Sequence, residues 1–219
     1  MSIPTCEGSA GTSTRSRSET EGVVAHMLWV LIASIVGGTL LLAGIPKTRD
    51  RQGLLRTVRG YKLLPAPLED AVSFALPWAE IVLGAALITG IAGRWAAAGA
   101  ALLFLCFFGG LTINLLRGRR DLDCGCFAFG SHDIPRIGWF HAVRAGAFVL
   151  VSAALALVPA GAPSLAEHLL AVALAALVLV VVVTAVQLRS IVHPGRRPVD
   201  DHLTKASIEL RAASTLSRY

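Results

Sequence analysis

Five long apolar segments dominate this chain and restrict what it can fold into. Each is about 20 residues long, which is the length that an α-helix needs to cross the hydrocarbon layer of a bilayer. The segments are 23–45, 71–91, 95–116, 138–158 and 169–188. A soluble helical protein would show polar stripes at helical spacing, and the apolar run 169–179 has none. The pattern therefore predicts an all-α, polytopic transmembrane helix bundle.

The composition agrees with this prediction. Hydrophobic residues make up 54% of the 219 residues and charged residues only 16%, with a mean hydropathy of +0.66, whereas soluble domains carry roughly 25% charged residues. The net charge of +6 comes from basic residues between and after the apolar segments, without interleaved aromatic residues. Such charges contact lipid headgroups and orient membrane helices. We therefore expect a multi-pass protein of the cell membrane that contacts lipid and binds no nucleic acid.

The chain divides into three parts by composition. Residues 1–22 are rich in Ser, Thr, Gly, Arg and Glu and are predicted to form a disordered polar tail. Residues 23–188 form the transmembrane bundle, and residues 189–219 form a polar, basic tail. The first apolar segment is too long for the core of a cleavable signal peptide, so we read it as a retained span.

The charges also predict a sidedness. With five spans, the loops 46–70 and 117–137 and the C-terminal tail lie on one face of the membrane, which we call face 1. Face 1 carries sixteen of the 20 basic residues, and the opposite face carries three. The excess of Lys and Arg in cytoplasmic loops then predicts that face 1 is cytoplasmic.

Polar residues within the spans are the first functional clue, because an ionisable group inside the bilayer usually pairs or marks a site. Glu80 in the second span and Arg144 in the fourth lie at comparable depth, so that an ion pair between them is geometrically feasible. Asn114 and His141 approach the same face. This supporting polar cluster has an alternative explanation: Glu80 and Arg144 are a structural pair, Asn114 bonds a neighbouring helix, and His141 is an interfacial residue.

The loop 117–137 carries the strongest chemical motif, Cys124-Gly125-Cys126. The neighbouring arginines favour the thiolate, the species that attacks disulfides, while two nearby aspartates oppose this effect. A disulfide across a single Gly closes a small ring, and strained, exposed disulfides are the labile ones. Cys124 and Cys126 are therefore the candidate catalytic residues of a thiol–disulfide oxidoreductase.

Two other interpretations of this cysteine pair stay open. Cys124 and Cys126 could bind a metal together with His132 and Asp133, although structural zinc sites usually place two or more residues between cysteines. Alternatively, both thiols are idle in a structural loop. We predict no metal site. Cys106, within the third span, is interpreted as a small buried apolar residue.

At this point the chain resembles a known family, the methylamine utilisation membrane proteins called MauE, relatives of the DoxX-like membrane proteins. The resemblance rests first on the string Asn114-x-x-Arg117-Gly118-Arg119…Cys124-Gly125-Cys126-Phe127. Further elements follow the family order: Lys47, Tyr61-Lys62-Leu63-Leu64-Pro65 and Pro77-x-x-Glu80-x-x-x-Gly84. One departure is visible, because Phe127 is followed by Ala128-Phe129-Gly130 where the family usually continues with Gly.

The resemblance implies a fold and a function. The fold would be a four-helix DoxX-like core with a fifth, C-terminal span. The function would be thiol–disulfide maturation of a disulfide-containing client protein, as in the processing of the methylamine dehydrogenase small subunit, alongside a thioredoxin-like partner. No cofactor motif is recognisable, and a quinone is the candidate electron acceptor.

The maturation function conflicts with the predicted sidedness, because disulfides form outside the cytoplasm. Three explanations of this conflict are open. The topology is reversed, the loop 46–70 lies along the membrane surface with its arginines held by headgroups, or the protein acts on cytoplasmic thiols. Two other function classes also remain: a non-catalytic membrane assembly factor, and a small-solute or metal transporter, although inverted repeats are not evident.

Overall fold

The computed structural model describes residues 11–119, 138–158 and 164–192, with side chains described for 22–119, 138–158 and 164–188. The described residues form six α-helices and no strand. The helices are α1 (Gly11–Arg49), α2 (Arg51–Tyr61), α3 (Ala66–Thr89), α4 (Gly93–Leu116), α5 (Trp139–Leu157) and α6 (Leu165–Val192). The predicted all-α polytopic bundle is confirmed.

Five of these helices are long and apolar enough to cross a membrane. They cover residues 22–49, 66–89, 93–116, 139–157 and 165–188, so each predicted span is confirmed with its ends shifted by a few residues. Large apolar side chains point outward along the spans, as Leu102 and Leu150 do. Because such exposure is favourable only in an apolar solvent, the protein is a multi-pass membrane protein.

Two boundaries differ from the sequence prediction. The first helix begins at Gly11, inside the segment 1–22 that was predicted to be disordered. Once the apolar span has formed a helix, extending it through polar residues needs no new nucleation. The loop 46–70 contains α2, an amphipathic helix that buries Leu54 while Arg51 and Arg56 stay exposed. The sequence did not predict α2 because this helix is short, contains Gly residues and is not an apolar segment.

The chain forms two units, Met1–Leu179 and Val180–Tyr219. The first unit holds α1–α5 and the first part of α6. In the described part of the second unit, residues 180–192 continue α6 as a helix. All the contacts considered below lie within the first unit.

Glycines bring α1 and α3 into close contact. A Cβ atom on Gly37 would lie 2.6 Å from the carbonyl oxygen of Gly84, and a Cβ on Gly84 would lie 2.6 Å from the carbonyl oxygen of Gly37. Side chains at both positions are excluded, and the two backbones approach as in other small-residue contacts between membrane helices. The buried face of α3 repeats at alternating intervals of four and three residues and consists of Ser73, Pro77, Glu80, Gly84 and Leu87.

The second half of the bundle is held by aromatic and small residues of α4 and α5. The rings of Phe104 and Phe148 stack with centroids 4.9 Å apart, and the ring of Phe108 lies beside Gly146. The indole N–H of Trp29 on α1 donates a hydrogen bond of 3.2 Å to the carbonyl of Leu155 in the last turn of α5. These contacts place α1, α3, α4 and α5 around a common interior.

Candidate functional site: a buried ion pair beside a small cavity

A buried ion pair lies between α1 and α3. The Lys47 ammonium donates a hydrogen bond of 2.5 Å to Glu80 Oε1, and the two side chains are only 5% and 0% exposed. Gly44, one turn before Lys47, allows this approach, since a Cβ there would meet the Glu80 Cβ at 3.0 Å. The close packing of α1 and α3 therefore sets the position of both charges.

An ion pair between Glu80 and Arg144 is feasible from their depth in the spans, but in the described residues the ion pair of Glu80 is with Lys47. The reason is that the glycines of α1 and α3 make these two helices direct neighbours. Lys47 had been assigned to the loop after the first span. In the structure α1 continues to Arg49, so that Lys47 belongs to the helix and points into the bundle.

The environment of the pair is partly aromatic and leaves one oxygen without a protein partner. The Lys47 ammonium lies 5.2 Å from the centre of the Phe107 ring, close enough for a cation–π contact. The second carboxylate oxygen, Glu80 Oε2, is buried and has no hydrogen-bond partner among the described residues. The pair is therefore half satisfied: Oε1 is bonded, and Oε2 is not.

A cavity of about 40 Å³ adjoins the ion pair. All four core helices contribute to its wall, which is formed by Thr39, Leu40, Ala43, Lys47, Glu80, Phe104, Phe107, His141, Arg144, Ala145 and Phe148. Three of the predicted polar residues, Glu80, His141 and Arg144, thus line one cavity. Their convergence had been expected from depth and sidedness, and the structure adds Lys47.

His141 lies in the first turn of α5, and its hydrogen bonding defines which ring nitrogen carries the proton when the ring is neutral. The backbone N–H of Gly138 donates to His141 Nδ1 over 3.3 Å. An imidazole nitrogen that accepts a hydrogen bond carries no proton, so the neutral ring holds its proton on Nε2. Nε2 is then a hydrogen-bond donor.

Asn114 does not line this cavity. It is fully buried near the end of α4, where its amide donates to the Gly110 carbonyl over 3.0 Å and its Oδ1 accepts from Arg119 over 3.5 Å. The Arg119 guanidinium also donates to the Tyr61 carbonyl at the end of α2, over 3.4 Å. Asn114 thus joins α4 to its own C-terminal turn and, through Arg119, to α2.

The residues after Asn114 form a helix-ending turn that explains part of the sequence motif. Gly118 has a φ of +72°, and its N–H bonds the Leu115 carbonyl, while the N–H of Arg119 bonds the Asn114 carbonyl. These two bonds define a Schellman motif, in which the residue with positive φ is usually Gly. The string Asn114-x-x-Arg117-Gly118-Arg119 therefore encodes the end of α4 at the start of the cysteine-bearing loop.

Cys124 and Cys126 lie outside the described residues, as do His132 and Asp133. Their assignment as catalytic residues stays a prediction. Cys106 is described and is exposed on α4, contrary to the expectation that it is buried. In the described part of the chain, no three His, Cys, Asp or Glu side chains are grouped so that they could hold a metal ion.

Sequence reasoning missed Lys47, Phe107 and Arg119 as members of these clusters. Lys47 could have been found from spacing, because Ala33, Gly37, Leu40, Gly44 and Lys47 repeat at intervals of four and three residues, as expected of a helix face that packs on another helix. Arg119 belongs to the string that begins at Asn114, whereas Phe107 carries no comparable signal.

The geometry defines a class: a multi-pass helical membrane protein with a buried Lys–Glu pair beside a small cavity. The chain belongs to the family of the methylamine utilisation protein MauE, whose family model matches residues 25–160. That match contains both members of the ion pair, the whole cavity wall and the cysteine pair.

Individual relatives support this membership. The methylamine utilization protein MauE of Methylophilus methylotrophus is 37% identical over 140 residues, which is 64% of this chain and 73% of the relative. The protein of the same name from Methylorubrum extorquens is 28% identical over 70% of this chain and 84% of its own. The one from Paracoccus denitrificans is 32% identical over 63% of this chain and 73% of its own length. No solved structure matches the chain significantly.

Proposed function

We propose that this protein is a thiol–disulfide redox protein of the cell membrane that takes part in the maturation of a disulfide-containing client protein. The observation that carries the proposal is the Cys124-Gly125-Cys126 motif in a chain of the MauE family. The names of the relatives refer to methylamine utilisation, and we extend that process to this protein. The client would then be a protein that serves methylamine metabolism.

The chemistry needs two exchange steps and no further redox group. In the first step, a client thiolate attacks the Cys124–Cys126 disulfide, the second client thiol resolves the mixed disulfide, and the client gains a disulfide while the pair becomes a dithiol. In the second step, the dithiol reduces the disulfide of a thioredoxin-like partner and is itself reoxidised. Two electrons and two protons pass from the client to the partner.

A quinone is not needed for this scheme, and it does not fit the described cavity. A cavity of roughly 150 Å³ holds a single benzene ring, whereas the cavity beside Glu80 has about 40 Å³. A substituted quinone ring is larger than benzene. The proposal therefore assigns the electrons to the thioredoxin-like partner.

The proposal requires that face 1 is on the extracytoplasmic side, since stable disulfides form there. The count of loop charges points the other way, and two described features remove only two of the sixteen cations from that count. Lys47 is buried in the bundle and neutralised by Glu80. Arg59 on α2 lies 3.3 Å from a Glu69 oxygen and 3.9 Å from an Asp70 oxygen. These two cations are thus already bound to acidic groups of the protein itself.

The test is the client's disulfide content in cells that carry the variant Cys124→Ser/Cys126→Ser. We expect the client to lose its disulfides, as measured by thiol alkylation and gel shift. The amount of the variant in the membrane should stay normal. Cys106→Ser is the matched control, because Cys106 is exposed on α4 and is not part of the motif, and it should leave the client oxidised. Unchanged client disulfides in the double variant would contradict the redox function and favour a non-catalytic assembly factor.

Sidedness is measured separately. A membrane-impermeant maleimide applied to intact cells should label Cys124 and Cys126 after mild reduction, in a Cys6→Ser/Cys106→Ser background that removes the two other cysteines of the chain. Labelling only in inverted vesicles would place the motif in the cytoplasm and overturn the maturation role.

A further inference from the structure

The short helix α2 places one arginine on the outer surface of a membrane span. Arg51 is the first residue of α2, and the central carbon of its guanidinium lies 5.3 Å from the centre of the Phe74 ring on α3. Phe74 is 56% exposed and belongs to the span Ala66–Thr89. Trp78, one turn further along α3, is exposed on the same side of that helix. Arg51 therefore lies against the side of α3 that faces lipid.

The contacts between α2 and α3 also define the depth of this arginine in the membrane. At the other end of α2, Arg59 lies 3.3 Å from an oxygen of Glu69, in the first turn of α3. Phe74 follows Glu69 by five residues, so its ring lies about 7 Å deeper, at a helical rise of 1.5 Å per residue. The apolar segment of this span begins at residue 71. The guanidinium of Arg51 thus lies near the boundary between lipid headgroups and acyl chains.

The acidic groups near Arg51 are engaged elsewhere. Asp50, its neighbour in sequence, caps the start of α2 by accepting a backbone N–H over 2.8 Å. Oxygens of Glu69 and Asp70 lie 3.3 and 3.9 Å from Arg59. In the described part of the chain, no carboxylate forms an ion pair with Arg51. A cation on the lipid-facing surface of a span is unfavourable without a counter-charge, and the surrounding lipid is the source of one.

The chemistry of the arginine selects a phosphate as that counter-charge. A guanidinium carries five N–H donors, and among the described residues the side chain of Arg51 contacts the Phe74 ring without donating a hydrogen bond to a protein oxygen. Its planar fork matches the oxygens of a phosphate bidentately. In a zwitterionic phospholipid the headgroup ammonium competes for the phosphate charge. An anionic phospholipid lacks that competitor and therefore fits the site better.

We propose that Arg51 and Phe74 form a binding site for the phosphate of an anionic phospholipid of the phosphatidylglycerol type. The phosphate accepts N–H bonds from the guanidinium, and the acyl chains lie along Phe74 and Trp78. Leu54, which is buried near the start of α2, anchors this helix on the bundle and so fixes the position of the arginine. Phospholipid phosphates line both faces of a bilayer. The site is thus compatible with either orientation of the protein and does not depend on the thiol chemistry proposed above.

The test is native mass spectrometry of the full-length protein in detergent, titrated with phosphatidylglycerol or with phosphatidylethanolamine. The unmodified protein should bind phosphatidylglycerol about fivefold more tightly or better, which is the effect of one arginine beside anionic lipid. Arg51→Gln should lower the affinity for phosphatidylglycerol about tenfold, because it removes hydrogen bonds to a charged group. It should also abolish the preference over phosphatidylethanolamine. Because Arg51 is exposed, the unfolding midpoint without added lipid should not change.

Arg56→Gln is the matched control. Arg56 is exposed on the same helix and loses the same charge, but it lies about 140° around α2 from Arg51, with its Nε donating to the Gln52 carbonyl over 3.4 Å. Its effect on the affinity should be less than about threefold, because a distant surface charge is screened. Phe74→Leu keeps an apolar side chain but removes the ring, and it should weaken binding about two- to fivefold.

Three results would overturn the proposal. The first is an equal loss of affinity in Arg51→Gln and Arg56→Gln, which would mean that lipid is attracted by the basic surface in general. The second is equal affinity of the unmodified protein for the two lipids. The third is binding by Phe74→Leu that is as tight as in the unmodified protein.

Discussion

Lys47 on α1 and Glu80 on α3 form a buried ion pair of 2.5 Å, although 33 residues separate them in the sequence. Both charges lie within segments that span the membrane, where neither would be stable alone. Their pairing is possible because Gly37, Gly44 and Gly84 let the two helices approach without intervening side chains. The ion pair and the glycine contact are thus one structural unit.

The first prediction concerns the two members of this pair. Lys47→Met and Glu80→Gln should each destabilise the protein by about 3–5 kcal/mol, because each change leaves one buried charge or one buried acceptor uncompensated. The combined variant should lose clearly less than the sum of the two. Thermal unfolding in detergent, arranged as a double-mutant cycle, measures this coupling.

An exposed pair provides the control for this cycle. Arg59 and Glu69 approach within 3.3 Å, but the Arg59 side chain is 54% exposed, so that Arg59→Met should change stability by only about 0–1 kcal/mol. Additive effects of Lys47→Met and Glu80→Gln would contradict the coupling that the structure shows.

The spans could be predicted from the sequence, whereas the ion pair could not. A bilayer imposes a length and an apolar composition on each span, and these properties are local, so all five spans were found. The partner of Glu80 depends on which helices are neighbours. That choice is made by the contact of Gly37 with Gly84, which joins residues far apart in the chain.

Part of the site was nevertheless within reach of the sequence. Three of the four residues expected to converge, Glu80, His141 and Arg144, line one cavity, because the direction of each span fixes which end of it lies at face 1. Lys47 was missed because the apolar segment seemed to end at residue 45, while α1 continues through Pro46 to Arg49. A long basic side chain that lies beyond the apolar run can still place its charged group inside the bundle.

The second prediction tests the contact between α1 and α3. Gly84→Ala should destabilise the protein by about 1–3 kcal/mol, because the new Cβ would lie 2.6 Å from the Gly37 carbonyl oxygen and the backbones must separate. Gly109→Ala on α4 is the matched control, since a Cβ there meets nothing within 4 Å. It should be neutral or stabilise by up to about 1 kcal/mol. The readout is the thermal unfolding midpoint, and equal midpoints for the two variants would be inconsistent with a tight contact.

The third prediction concerns the hydrogen bond from α1 to the end of α5. Trp29→Phe keeps most of the buried ring but removes the indole N–H that bonds the Leu155 carbonyl, and it should destabilise by about 1 kcal/mol. Trp95→Phe serves for comparison, because Trp95 is 74% exposed and its loss should change stability by less than about 0.5 kcal/mol. Chemical unfolding of both variants distinguishes these values. If Trp29→Phe destabilised the protein no more than Trp95→Phe, the hydrogen bond between Trp29 and the Leu155 carbonyl would not stabilise the bundle.

The fourth prediction concerns Gly118, which ends α4 at the start of the cysteine-bearing loop. Its φ of +72° is strained for a residue with a Cβ, so Gly118→Ala should destabilise by about 1–2 kcal/mol, although the Cβ itself would meet nothing within 4 Å. Gly118→Asn should recover part of this loss, because Asn tolerates the left-handed conformation better than Ala does. Gly138 flanks the other end of the loop with a φ of −131° and is equally open, so Gly138→Ala should be nearly neutral. Unfolding midpoints of the three variants test this order, and a loss in Gly138→Ala as large as that in Gly118→Ala would show that the positive φ is not its cause.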